Sequence, residues 1–82
     1  MYFVEFSQIA EKQFFKLDKE IQGRIINVLE RIKIRPFHFV KKVIGTNYYR
    51  LRVGDYRVIL DIKEEKLIIF VIELGKREKI YD

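Results

Sequence analysis

The residues of this chain best suited to chemistry are cations in its C-terminal half: Arg50, Arg52, Arg57, Lys76 and Arg77. Tyrosines are interleaved with them at Tyr48, Tyr49, Tyr56 and Tyr81. A guanidinium presents a planar fork that donates paired hydrogen bonds to phosphate and stays charged at any physiological pH. Tyrosine rings offer stacking surfaces for bases, and Tyr81 also offers a hydroxyl. The chemistry implied is recognition of a polyanion. Histidine chemistry is poorly represented: the single histidine, His38, sits in a loop beside Pro36, where it reads as surface or loop packing. With one histidine and no cysteine, a zinc site and a disulfide framework are both excluded, and no cofactor is implied.

The elements that must position these cations follow from periodicity. Tyr2 to Phe6 alternates like a short strand, and Ser7 stands where a helix N-cap belongs. Ala10, Phe14 and Leu17 give helical spacing over Gln8 to Leu17. After Asp18, a second candidate cap, Ile21, Ile25, Val28 and Ile32 fall on one face of a helix over Lys19 to about Ile34, with Leu29 beside them. Pro36 ends that helix. A loop over Pro36 to Lys42 follows, with Phe37 and Phe39 expected to anchor it on the core. The remainder reads as three strands: Val43 to Val53, Tyr56 to Ile62 and Leu67 to Leu74. Turns at Gly54-Asp55 and Lys63 to Lys66 join them as antiparallel hairpins.

The expected fold is therefore α+β, in the order β-α-α-β-β-β. A two-helix hairpin covers one face of a mostly antiparallel four-stranded sheet, as a single domain over residues 1–82. Alternation then sorts the strand residues. Tyr49, Leu51 and Val53, with Tyr56, Val58, Leu60 and Ile62, should face the helices. Arg50, Arg52 and Arg57, with Ile59 and Asp61, should project from the uncovered face, and Gly75 should deliver Lys76 and Arg77 to its edge. A plainer arrangement stays open, in which this is a solvated face whose arginines pair with Asp55, Asp61 or Glu73. Glu73 suits such pairing better than the role of general base.

Composition agrees with a small basic domain. The chain has 82 residues, 49% of them hydrophobic, and 17 Lys and Arg against 12 Asp and Glu, for a net charge of +5. That balance favours a polyanionic or acidic partner. No apolar run approaches the roughly 20 residues of a membrane span, and no signal peptide is evident, so the expected location is the cytoplasm, without a membrane partner.

The block Tyr49 to Ile59, YRLRVGDYRVI, followed by the apolar strand Leu67 to Ile72, then Gly75-Lys76-Arg77 and Tyr81, resembles the RelE/ParE toxin superfamily. The upstream helical hairpin fits as well, so the resemblance covers essentially the whole chain. For the RelE branch it implies a ribosome-dependent endoribonuclease that cuts mRNA in the decoding A site, held in a hetero-oligomer by a RelB-like antitoxin. By position, Arg50 and Arg52 match the basic pair of the first long strand, where the best-known RelE toxins carry lysine. Arg57 matches the arginine after the Gly-x-Tyr turn, Arg77 the arginine after the last strand, and Tyr81 the tyrosine near the end.

In such a site the RNA supplies its own nucleophile. The ribose 2′-OH attacks the adjacent phosphorus and leaves a 2′,3′-cyclic phosphate and a free 5′-OH, with no metal required. Arg57 and Arg77 are then candidates for stabilising phosphoryl charge, and Tyr81 for proton transfer or for orienting the base. Arg50, Arg52 and Lys76 would bind the RNA. Two further readings remain: a ParE-like poison of DNA gyrase that cuts no RNA, and an inactive module that only binds its antitoxin.

Overall fold

The computed structural model describes residues 1–76. The elements run β1 (Phe3–Phe6), α1 (Gln8–Phe15), α2 (Lys19–Ile32), a 3₁₀ turn (Pro36–His38), β2 (Lys41–Lys42), β3 (Tyr49–Val53), β4 (Tyr56–Lys63) and β5 (Ile68–Lys76). The α+β architecture expected from sequence is present, with five strands rather than four in the described sheet. They are ordered β1-β5-β4-β3-β2. Antiparallel pairing joins β2 through β5, and β1 pairs parallel to β5, Phe3 opposite Ile68 and Phe6 opposite Val71. A parallel partner for β1 follows from the intervening helical hairpin, which crosses over the sheet before the chain returns.

The extra strand comes from a break in the long one expected over Val43 to Val53. Gly45 adopts φ +81°, a left-handed conformation that favours glycine. Thr46 closes the turn by donating from Oγ1 to the Val43 carbonyl at 2.9 Å and accepting from the Tyr48 N–H at 3.0 Å. The Val43 N–H donates to the Tyr48 carbonyl at 3.0 Å, so residues 43–48 form a hairpin tip between β2 and β3. Ile44 at that tip is 95% exposed.

Helix α1 starts where the cap predicts: the Ala10 N–H donates to Ser7 Oγ at 3.0 Å. Ala10 and Phe14 from α1, with Ile25, Leu29 and Ile32 from α2, pack on Leu51 and Val53, on Val58, Leu60 and Ile62, and on Ile69, Val71 and Leu74. Leu29 is more deeply buried than Ile21 or Val28, which lie at the margin of the stripe.

The last strand carries a β-bulge. Ile59 stands opposite Glu73 but Leu60 opposite Val71, which leaves Ile72 as the extra residue. Leu74 follows Val71 by an odd step, so strict alternation would turn it to the other face; the bulge resets that phase and keeps Ile69, Val71 and Leu74 in one core. Two side chains of the α1 region hold it. Ser7 Oγ donates to the Ile72 carbonyl at 2.6 Å, and the Leu74 N–H donates to Gln13 Oε1 at 2.7 Å. Unpaired ladder groups at the bulge thereby find partners.

Candidate nucleic-acid interface

The face of the sheet opposite the helices is assembled by strand register. Lys41 stands opposite Arg50, Arg50 opposite Ile59, and Ile59 opposite Glu73. In the neighbouring row Arg52 stands opposite Arg57, and Arg57 opposite Gly75. Opposed residues in such ladders have Cα atoms about 4.5–5.5 Å apart. Directly opposed positions of this kind bring their side chains into reach of one another.

The arginines differ sharply in setting. Arg52 is exposed and Arg50 intermediate, whereas Arg57 is only 1% exposed. The expectation that Arg57 simply projects from an open surface is thus corrected: it lies on that face but is buried in it. Ile59, on the same face, is 0% exposed. Gly75 opposite Arg57 has no side chain to compete for the space above the ladder. A buried guanidinium keeps its fork in a fixed orientation, which suits geometric recognition of a phosphate. It also makes Arg57 part of the packing.

Of the carboxylates that the plainer arrangement names, Asp61 pairs with Lys63 at 3.2 Å along β4. Farther from β2 the face is mixed: Asp61 and Glu5 stand on either side of Phe70, and Lys63 and Phe3 on either side of Ile68. Lys76 ends β5 and is exposed, but its register opposite Tyr56 puts it in the row next to that of Arg52, Arg57 and Gly75. Arg77 and Tyr81 lie outside the described residues, so their placement relative to Arg57 is not part of this geometry.

Two depressions mark the cationic end. One, of about 220 Å³, is lined by Phe39, Lys41, Arg50 and Arg52. A smaller hollow of about 40 Å³ is lined by Arg52, Gly54, Asp55, Tyr56 and Arg57. Arg52 borders both. Lys41 and Phe39 were not among the sequence candidates. Lys41 was assigned to a loop, and only the pairing of β2 with β3 brings it beside Arg50. Phe39 was expected to anchor the loop on the core. Instead Val40 packs against the core while Phe39, 46% exposed, borders the cleft. Phe37 does take the other side, edge-on to Tyr49 at 5.3 Å between ring centroids, with Lys42 Nζ 5.6 Å from the same ring. Among the described residues, no group of three or more His, Cys, Asp or Glu side chains is placed to hold a metal, and no helix is long and apolar enough to cross a membrane.

Comparison with known proteins decides the family. Residues 4–81 match the family described as ParE toxin of type II toxin-antitoxin system, parDE. The chain belongs to the RelE/ParE toxin superfamily. A putative RelE-like toxin protein of Escherichia coli is 33% identical over 81 residues, covering 95% of this chain and 85% of that protein. The mRNA interferase toxin RelE of Escherichia coli K12 is 29% identical over 82 residues, with the same shares covered. Among solved structures, a chain of the intact E. coli RelBE toxin–antitoxin complex superimposes with a TM-score of 0.81 at 28% identity, covering 96% of this chain and 100% of that one. The likeness spans both the helical hairpin and the sheet that carries the cationic face.

Proposed function

We propose that this superfamily member is the toxin of a toxin–antitoxin pair and cuts mRNA in the ribosomal A site, its cationic sheet face holding the scissile phosphate. The observation that carries the reading is the register of Arg52 against Arg57, flanked by Lys41 and Arg50, on the face the helices leave uncovered. The relatives named as mRNA interferases support the same chemistry. The resemblance to a RelBE complex supports a RelB-like antitoxin as partner in a hetero-oligomer.

The RNA supplies its own nucleophile, so the reaction requires no metal. The 2′-oxygen bonds to phosphorus as the bond from phosphorus to the 5′-oxygen breaks. A proton leaves the 2′-OH, and another is delivered to the departing 5′-oxygen. Negative charge grows on the non-bridging oxygens during transfer, and fixed guanidinium groups stabilise it more in the transition state than in the ground state. Arg57, rigid through burial, and Arg77 take that role. Arg50, Arg52 and Lys76 grip the flanking phosphates, and Tyr81 serves proton transfer or base orientation. An arginine is a poor base, so proton removal falls to another group or to the ribosome.

Programmed ribosomes carrying a defined mRNA test the reading. The expected products end in a 2′,3′-cyclic phosphate and a 5′-OH, and a 2′-deoxy nucleotide on the 5′ side of the scissile phosphate abolishes the cut. Because the matching family is described by its ParE member, the gyrase-directed reading has an observation in its favour as well. Intact mRNA together with altered DNA supercoiling would establish that reading and overturn ours.

A further inference from the structure

We propose that the cleft between Phe39 and the row formed by Lys41, Arg50 and Arg52 is a nucleotide subsite for single-stranded RNA. In it Phe39 stacks on a base flanking the scissile phosphate, and Lys41 holds that nucleotide's own phosphate. The inference rests on the reading that this face takes RNA, and it assigns roles to two residues that lie outside the arginine and tyrosine set.

The geometry comes from the β2 edge. The 3₁₀ turn Pro36–His38 is closed by the Phe39 N–H donating to the Pro36 carbonyl at 3.2 Å. Val40 packs on the core, while Phe39 and Lys41 on either side of it both line the cleft. Lys41 lands directly across from Arg50. An aromatic ring that is 46% exposed, at the wall of a 220 Å³ cleft whose other lining residues are all cations, is a poor way to bury apolar surface and a good stacking platform. Its ring also forms part of a small aromatic group, with His38 at 6.1 Å between centroids.

The position suits a neighbouring nucleotide rather than the scissile one. Arg52 borders both this cleft and the hollow that contains Arg57. Arg50 and Arg52 are two residues apart on one strand, so their Cα atoms lie about 7 Å apart along it. An unstacked RNA strand crossing β3 can therefore meet successive cations with successive phosphates while one base turns towards Phe39. Sequence-tolerant stacking of this kind adds affinity without selecting one base.

The test is binding of a fluorescein-labelled single-stranded RNA hexamer by the full chain, in parallel with cleavage on programmed ribosomes. Phe39→Ala and Phe39→Leu should each weaken the hexamer about tenfold, whereas Phe39→Trp should bind like the parent. Leucine preserves apolar packing without a π face, so this contrast separates stacking from a structural role. Lys41→Ala should reduce the slope of log affinity against log salt by about 0.7. Equal affinity for the parent and Phe39→Leu would overturn the subsite, and cleavage by that same variant would show the nuclease reading intact. Binding that depends on Phe39 with no cleavage by the parent would support the subsite and remove the nuclease reading. No RNA binding by the parent would overturn the subsite outright.

Discussion

The two faces of the sheet share the same strands and the same alternation, yet their physics is opposite. On the helix side, Leu51, Val58, Leu60, Ile69 and Val71 are buried against Ala10, Ile25 and Leu29 in an apolar cluster. On the other side, Lys41, Arg50, Arg52 and Arg57 lie at one end and Ile68 and Phe70 at the other. The first face gains from removing apolar area from water. The second holds like charges in facing register, which a fold selected for stability alone would avoid. On the proposed function, a polyanion is the ligand that turns such a concentration of cations into binding. Arg57 is where the two regimes meet: it is charged like the second face and buried like the first.

Substitutions can break this contrast. Leu60→Ala removes a fully buried side chain at the centre of the helix-side core and should cost about 2–5 kcal/mol in urea denaturation. Arg52→Ala removes an exposed group and should leave the denaturation midpoint nearly unchanged, while A-site cleavage at limiting RNA falls about 10–100-fold from the lost charge-assisted bonds to a flanking phosphate. Gln13→Ala strips the acceptor from the Leu74 N–H and should cost about 1–3 kcal/mol. Cleavage should fall further than the unfolded fraction accounts for, because the bulge sets the phase of Glu73 and Gly75 beside Ile59 and Arg57. Ser7→Ala loses both the α1 cap and the bond to the Ile72 carbonyl, for about 1 kcal/mol in the same titration. Lys63→Ala breaks an exposed pair with Asp61 and should change stability by less than about 1 kcal/mol, which serves as the baseline for surface charge.

Much of the helix-covered face was legible in the sequence. The step pattern of Ile21, Ile25, Val28 and Ile32, the cap at Ser7 and the turn at Gly54 each carry local signals of the type that periodicity and turn chemistry report. The remainder depended on contacts between residues far apart in the chain. Nothing in Tyr2 to Phe6 reveals a parallel partner across 65 residues, and the bulge at Ile72 exists because Ser7 and Gln13 reach it from α1. The arginines were found because alternation places Arg50, Arg52 and Arg57 on one face. Alternation says nothing of depth, so the burial of Arg57 was missed. Lys41 and Phe39 were missed for a related reason: residues 43–48 form a hairpin tip that sequence joined to the following strand, and only that tip folds Lys41 back onto Arg50.

The central claim is that the uncovered face is built for phosphate chemistry rather than for holding the fold together. Arg52→Gln, measured at once for its melting temperature and for A-site cleavage of a translated mRNA, tests it most directly. A melting temperature like the parent's with cleavage reduced at least about tenfold is the predicted result. A lowered melting temperature with undiminished cleavage per folded molecule would contradict it.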